Sequence, residues 1–232
     1  MIQIIKSKDR YFADHGWLQT HWHFSFSDYH DPNNVNWGAL RVFNDDIVQP
    51  GGGFDMHPHR DMEIITYVLS GELEHQDQLG NRGVVRPGEV QVMTAGRGII
   101  HGERNASPTT PVHFLQIWIM PKLRGIQPRW EQKQFAAEDR NGKLLPVVSS
   151  GNVAGTLAIN QDATVFVSKL AGGQSATHAT TPDRHSYLFV ISGEAKVNGR
   201  PLAAGDQARL RDEKTLEIAA MSDSELILLD VP

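Results

Sequence analysis

Two distant segments of the chain carry the same short pattern, and this repeat constrains the fold more than any other feature. Residues 67–72 read YVLSGE, and residues 189–194 read FVISGE. A second glycine turn beside an acidic residue follows each copy, at Gly88-Glu89 and at Gly205-Asp206. The order of strand, glycine turn, strand and second turn is therefore used twice, which predicts two β-domains built on one plan.

Short apolar runs between glycines and prolines predict strands in both halves. The runs lie at 63–69, 90–93, 114–120, 164–170, 186–191 and 226–231. Tight turns are predicted at Leu79-Gly80-Asn81 and at Asn198-Gly199. The best helix candidate is 128–139 (PRWEQKQFAAED), which we expect to be partly irregular. Short strands at close spacing predict an all-β fold made of two antiparallel β-barrels.

The length of the chain agrees with two such domains. It has 232 residues, of which 40% are apolar, so each domain has material for a core. We place the first domain at 1–135, a linker at 136–152 and the second domain at 153–232.

Composition excludes several classes of function. The chain has no cysteine, which rules out disulfides, thiol nucleophiles and zinc–thiolate sites. The net charge is −5, and no basic cluster of the kind that binds nucleic acid is present. No apolar run is long enough to span a membrane, and the N-terminal residues lack the apolar segment of a signal peptide. We expect a cytoplasmic monomer without nucleic-acid or membrane partners.

Two triplets of metal-ligand side chains stand far apart in the first half. They are His57-Pro58-His59 and His101-Gly102-Glu103. Residues i and i+2 of a strand point to the same face, so each triplet projects two ligands in one direction. Side by side, the two strands would bring three imidazoles and one carboxylate together. The sequence thus predicts a metal site at His57, His59, His101 and Glu103. Its nitrogen and oxygen donors suit Fe, Ni, Cu, Co, Mn or Zn.

The second half lacks an equivalent pair of triplets. The offset of the repeat carries the place of His101 to Ile218 and that of Glu103 to Ala220. His178 is present, but no His-x-Glu triplet follows it. We therefore expect the second domain to be free of metal, and His178 to be a remnant or a surface group.

The first half resembles the two motifs of cupin proteins, and the whole chain resembles the pirin family of bicupins. Gly71 lies one residue later than in the usual cupin motif, and Gly96 replaces the proline of the second motif; neither is a ligand position. The segments that carry the resemblance to pirins are 15–18 (HGWL), 24–26 (FSF), 40–42 (LRV), 57–63 (HPHRDME), 74–77 (EHQD), 94–99 (TAGRGI), 101–103 (HGE), 116–119 (QIWI) and 228–232 (LLDVP).

This resemblance implies two cupin, jelly-roll-like domains and one metal site. In pirins the ligands occupy the positions of His57, His59, His101 and Glu103, and Fe(II) is the metal that the resemblance favours. Glu63, at the usual cupin carboxylate position, is an alternative ligand, a group that orients a ligand, or the partner of an arginine. Bacterial pirins are linked to quercetin 2,3-dioxygenase activity, which implies a flavonol and O₂ as substrates.

Two roles for Glu103 stay open. As a carboxylate at the metal it is placed to accept the 3-hydroxyl proton of a flavonol, which would make it a catalytic residue. The alternative is a purely structural ligand. The function of the chain has alternatives as well: a metal-binding, redox-responsive regulatory protein with a protein partner, or another cupin reaction such as sugar isomerisation or decarboxylation.

Other polar and aromatic residues carry weaker expectations. His75 and Asp77 lie beyond the Gly71 turn, and we expect them to be solvated or locally hydrogen-bonded on a hairpin arm. Histidines outside the two triplets, such as His15 and His113, are expected to be structural or surface residues. Four side chains are candidates for a cavity wall, although ordinary core positions are the simpler expectation: Phe43, Phe54, Met93 and Trp118.

Overall fold

A computed structural model describes residues 1–232 and consists almost entirely of β-strands. The first twelve strands are β1 (Ile2–Ile5), β2 (Tyr11–Asp14), β3 (Leu18–Trp22), β4 (Leu40–Val48), β5 (Gly53–His59), β6 (Glu63–Ser70), β7 (Leu73–Asp77), β8 (Arg82–Val85), β9 (Glu89–Thr94), β10 (Ile99–Asn105), β11 (Val112–Ile119) and β12 (Arg129–Gln134). The remaining strands are β13 (Leu145–Ser149), β14 (Leu157–Ala158), β15 (Thr164–Leu170), β16 (Ser175–Ala179), β17 (His185–Ser192), β18 (Glu194–Val197), β19 (Arg200–Ala203), β20 (Gln207–Arg211), β21 (Thr215–Ala220) and β22 (Ser224–Val231).

Helical structure is limited to two short 3-10 turns, Ser7–Asp9 and Ala137–Arg140. No helix has the length and apolar character needed to cross a membrane. The predicted all-β class is confirmed, and so are the strand predictions, each of which falls on a strand of the structure.

The chain divides into two compact units. The N-terminal unit comprises Tyr11–Phe135 with Leu157–Gln161, and the C-terminal unit comprises Met1–Arg10, Ala136–Thr156 and Asp162–Pro232. The first ten residues join the C-terminal unit because β1 pairs antiparallel with β20. Strand β13, within the segment predicted as a linker, also belongs to that unit. Both assignments depend on pairings between residues far apart in the sequence, which no local pattern reveals.

The N-terminal unit is built from two antiparallel sheets. The larger sheet has the strand order β12-β9-β6-β11-β4-β3-β2, and the smaller has the order β5-β10-β7-β8. Alternate residues of the strands face the interior. One apolar cluster there includes Val68, Leu73 and Phe114, and another includes Ile64, Met93 and Ile99.

The C-terminal unit repeats this plan. Its larger sheet contains β1, β20, β17, β22, β15 and β13 in that order, and its smaller sheet has the order β16-β21-β18-β19. With β1 in the place of β12, these six strands follow the order of the first six in the N-terminal unit, and the smaller sheets match strand for strand. The duplication predicted from the sequence is therefore confirmed. An apolar cluster that includes Leu188, Leu216 and Leu228 fills its interior.

The repeated glycine of the two copies has a steric reason. Gly71 and Gly193 have φ values of 77° and 80°. A Cβ atom would lie 2.6 Å from the Pro111 carbonyl oxygen at Gly71, and 2.2 Å from the Asp223 carbonyl oxygen at Gly193. Backbone passes too close in both units for any side chain, so the turn requires glycine.

The predicted helix at 128–139 is wrong. Residues Arg129–Gln134 form β12, which pairs antiparallel with β9 along its whole length. The 3-10 turn Ala137–Arg140 is the only helical part of the segment. Pairing with β9 outweighs the local helix preference of this polar stretch, as tertiary structure commonly does.

Candidate metal centre

The two ligand triplets lie on neighbouring strands of the smaller N-terminal sheet. His101 of β10 is the direct antiparallel partner of His57 of β5, and Ile99 is the partner of His59. The ring centroids of His57, His59 and His101 are 4.5 to 4.9 Å apart. Ligand atoms of these three residues, here called the three-histidine group, all lie within 4.8 Å of one another. The prediction that the triplets converge therefore agrees with the structure for the histidines.

A β-bulge separates the two ligand positions of β10. The register shifts between His101 and Glu103, so that Glu103 faces Phe54. Bulges re-aim side chains and are frequent beside functional sites. The backbones are tightly apposed here, because a Cβ atom at Gly53 would lie 2.6 Å from the Glu103 carbonyl oxygen.

The electrostatics of the three-histidine group suit a cation. Burial, followed by the neighbouring His57 and His59, lowers the pKa of His101 to about 2. Burial and His57 lower the pKa of His59 to about 4. Both rings are thus neutral near pH 7, the form that binds metal. His101 is 1% exposed, and its Nε2 has no hydrogen-bond partner. An unpartnered buried nitrogen among three imidazoles fits a divalent metal ion.

Glu103 lies beside His101 but outside the three-histidine group. Its ligand atom is grouped with those of His101 and His75, within the same 4.8 Å. Oε2 accepts a 2.7 Å hydrogen bond from Gln116 Nε2, and Oε1 accepts a longer one of 3.4 Å from Thr66. Burial raises the pKa of Glu103 to about 7, although these hydrogen bonds oppose the rise.

His75 is part of this centre; of the two expectations for it, solvation is wrong, whereas a local contact with Asp77 agrees with the structure. Its side chain is 0% exposed, and its Nδ1 lies 3.4 Å from His101 Nδ1. Nε2 lies 3.6 Å from a carboxylate oxygen of Asp77, which itself accepts hydrogen bonds from the backbone of Leu79 and Asn81. The alternation of Leu73, His75 and Asp77 on β7 was a signal that these side chains share the inner face.

Trp130 supports two residues of the centre at once. Its ring stacks on His75, with centroids 5.5 Å apart and planes 15° from parallel. Its Nε1 donates a 2.9 Å hydrogen bond to Gln91, whose amide nitrogen lies 3.4 Å from the Thr66 hydroxyl. One branch of this buried network therefore reaches His101 through His75, and the other reaches Glu103 through Thr66.

A cavity of about 370 Å³ opens over the three-histidine group. Aromatic rings supply much of its wall: Trp17, Trp22, Phe26, Phe54 and Trp118. Of the four candidates from the sequence, Phe54 and Trp118 lie in this wall, whereas Phe43 and Met93 are fully buried core residues. His15 also lines the cavity, which the sequence did not indicate. The volume and the apolar walls are typical of a small-molecule site.

Glu63 has different neighbours from the predicted ligands. It is fully buried, accepts a 2.7 Å hydrogen bond from Thr94 and lies close to Arg129. Burial raises the pKa of Glu63, and the Thr94 hydrogen bond opposes that rise. It belongs to neither group of potential ligands and does not line the cavity.

The C-terminal unit has the same ladder with apolar side chains at the matching positions. Strand β21 pairs with β16 and β18 as β10 pairs with β5 and β7. When the units are aligned on the shared glycine turn, Val197 matches His75, so the registers put Ile218 at the place of Glu103 and Leu216 at the place of His101. Both are buried in the apolar core. The offset of the repeat, which predicted Ile218 and Ala220, was therefore two residues too late.

His178 of the C-terminal unit is the ladder partner of Leu216, as His57 is the partner of His101. Its Nε2 lies 2.5 Å from Asp230, which also accepts a 2.6 Å hydrogen bond from Arg184. The imidazole is therefore held in a salt-bridge cluster, which is a structural role and not a surface one.

Comparison with known proteins gives a consistent result along the whole chain. Residues 5–119 match the family model described as Pirin, and residues 146–231 match the model described as the quercetinase C-terminal cupin domain. A pirin-like protein of Caulobacter vibrioides is 49% identical, over 94% of both chains. A quercetin 2,3-dioxygenase of Escherichia coli K12 is 44% identical, over 100% of this chain and 99% of that protein.

Solved structures show the same relationship. The bacterial pirin YhhW of Escherichia coli in complex with nickel(II) has a TM-score of 0.95 and 43% identity, over 100% of this chain and 99% of that one. A protein of Geobacillus kaustophilus, GK1651, has a TM-score of 0.81 and 25% identity, over 98% of this chain and 94% of that one.

Proposed function

Because this chain belongs to the pirin family of cupin proteins, we propose that it is a dioxygenase that cleaves flavonols such as quercetin with O₂. The observation that carries the proposal is the position of three imidazoles at an aromatic-lined cavity. A full-length relative named quercetin 2,3-dioxygenase supports it.

The donor set suits a single divalent metal, and a related pirin binds nickel(II). We propose that His57, His59, His101 and Glu103 are the ligands here and that the working metal is Fe(II). Imidazole and carboxylate donors are compatible with Fe(II), with Ni(II) and with several other ions, so the donors alone do not select between them. When bound, the metal supplies positive charge that stabilises a flavonol anion, and it holds both reactants together.

The residues around the metal position have separate roles in substrate binding and proton transfer. Planar aromatic walls, including Trp118 and Phe54, bind the flavonol rings and exclude water from them. Glu103 accepts the 3-hydroxyl proton at Oε1, the oxygen with the longer protein hydrogen bond. Gln116 holds the other oxygen and so keeps the carboxylate oriented. Ring opening by O₂ then releases carbon monoxide.

The aromatic character of the cavity favours this reaction over a cupin reaction on sugars. A sugar pocket needs many polar groups on its walls to bind the hydroxyls of its ligand. Five indole or phenyl rings line this cavity beside its polar residues, and these flat apolar surfaces match the rings of a flavonol.

The proposal is tested with protein purified without oxygen and loaded with Fe(II). We expect quercetin-dependent O₂ uptake that stops when a chelator removes the metal. His57→Ala should abolish turnover, whereas His113→Ala, at a residue paired with Asp45 outside the cavity, should retain it. Absence of turnover in protein with a full complement of iron would refute the proposed activity.

A further inference from the structure

The cavity has a second polar surface that the proposed metal ligands do not use. Asn44 and Asp46 both line it. They stand two residues apart on β4, so their side chains point to the same face of the strand. They are only 5% and 2% exposed, respectively.

Each of these two side chains has an oxygen atom without a partner. Asn44 Oδ1 and Asp46 Oδ1 are buried, and no protein group donates a hydrogen bond to them. An unsatisfied buried acceptor costs about 1–3 kcal/mol, so such atoms are uncommon in the interior of a protein. Two of them side by side in a cavity wall indicate a surface that is completed by a ligand.

The two neighbouring strands offer few donors to these oxygens. Asn44 is paired across the ladder with Gln116, whose amide nitrogen donates a hydrogen bond to Glu103. Asp46 is paired with Phe114, which is buried and apolar. On the other side, the partner of Asp46 is Thr20, whose hydroxyl is the one protein donor near the Asp46 carboxyl.

We propose that Asn44 and Asp46 form a hydroxyl-binding subsite that accepts hydrogen bonds from phenolic hydroxyl groups of the substrate. The ligand that fits is a planar polyphenol, because the aromatic walls take its rings and the two oxygens take its O–H donors. This subsite selects flavonols with hydroxyls on the rings over flavonols that carry only the 3-hydroxyl. It rests on the proposed function for the identity of the ligand.

The test compares two ligands, quercetin and 3-hydroxyflavone, which share a ring system but differ in the other hydroxyl groups. Dissociation constants are measured without oxygen on the metal-loaded protein, by quenching of tryptophan fluorescence. We expect Asn44→Leu and Asp46→Leu each to weaken quercetin binding about 3- to 10-fold, the effect of one neutral hydrogen bond. Binding of 3-hydroxyflavone should change less than about 2-fold.

A matched control is Asn152→Leu, which makes the same change at an exposed position of the C-terminal unit. Equal losses for both ligands, or no loss for quercetin, would overturn the subsite. If neither variant folds, the two dissociation constants of the wild-type protein still test the subsite. The subsite requires the wild-type protein to bind quercetin more tightly than 3-hydroxyflavone. The measurement uses no turnover, so a protein that shows this preference but consumes no O₂ would refute the dioxygenase proposal and keep the subsite.

Discussion

The imidazoles of His75 and His101 meet through their Nδ1 atoms, which lie 3.4 Å apart in the interior of the N-terminal unit. Only one of these two nitrogens can carry the shared hydrogen. If His101 offers Nε2 to a metal, its Nδ1 carries the hydrogen and donates it to His75. The hydrogen of His75 is then on Nε2, facing Asp77. This arrangement sets the tautomer and the ring orientation of a metal ligand.

Replacing His75 with phenylalanine should weaken metal binding. The ring keeps its volume and its stacking on Trp130, but His101 loses the acceptor for its Nδ1 hydrogen. Loss of a group that orients a ligand typically lowers metal affinity about 10- to 100-fold. Competition with a chromophoric chelator measures the change. His113→Phe is the control, and a His75→Phe protein that folds and binds metal normally would contradict the prediction.

Trp130→Phe separates the two branches of the buried network. The aromatic stack on His75 is retained, whereas the Nε1 donor to Gln91 is lost. The Gln91 acceptor is then buried without a partner, which should lower the free energy of unfolding by about 1–3 kcal/mol. Urea denaturation monitors the loss. Trp17→Phe, at a ring that is 37% exposed, serves as the comparison and should cost less.

Gly53→Ala should disturb the strand that carries Glu103. A Cβ atom at this position would lie 2.4 Å from Arg104 Cβ and 2.6 Å from the Glu103 carbonyl oxygen. The strands must move apart, and overpacking of this kind costs about 1–3 kcal/mol. Thermal unfolding should show the loss, together with weaker metal binding. Gly172→Ala, where the nearest atom is 3.4 Å away, should leave both properties unchanged.

The stability of the C-terminal unit should depend on pH through Asp230. Burial raises the pKa of Asp230, but hydrogen bonds from His178 and Arg184 outweigh it, so the net pKa lies below the ordinary value of 3.8. A pKa that is lower in the folded state means that the ionised carboxylate stabilises the fold above about pH 3.8. This contribution disappears as the pH falls through the lowered value.

Asp230→Asn should therefore lower the free energy of unfolding by about 1.5–3 kcal/mol at neutral pH. It should also flatten the loss of stability between about pH 5 and pH 2. Denaturant titrations at a series of pH values measure both effects. Asp162→Asn removes an exposed carboxylate that contacts the same Arg184, and it should change little. An equal effect of the two substitutions would argue against a special role for Asp230.

Local patterns in the sequence predicted the ligand triplets and the repeat, because strand alternation and glycine turns are properties of adjacent residues. His57 and His59, or His101 and Glu103, share a face whatever the rest of the fold does. The offset of the repeat located the matching strand, β21, but it placed the counterparts of His101 and Glu103 two residues too late, because the loops of the two units differ in length.

What could not be predicted depends on which strands become neighbours. The sequence places His75 on a hairpin arm. In the structure β7 lies beside β10, and His75 is the ladder partner of Glu103. Trp130 was assigned to a helix candidate, although its strand pairs with β9. The unpartnered oxygens of Asn44 and Asp46 depend on what β3 and β11 place opposite them.

The pairing of β1 with β20 sets an order of events during synthesis of the chain. Residues Ile2–Ile5 are synthesised before the strands of the N-terminal unit, whereas their partners, Gln207 to Leu210, are synthesised after them. Closing so long a loop is slow compared with forming local hairpins. The first strand must therefore stay unpaired while the N-terminal unit is synthesised, and the C-terminal unit completes its sheet only after β20 has been synthesised.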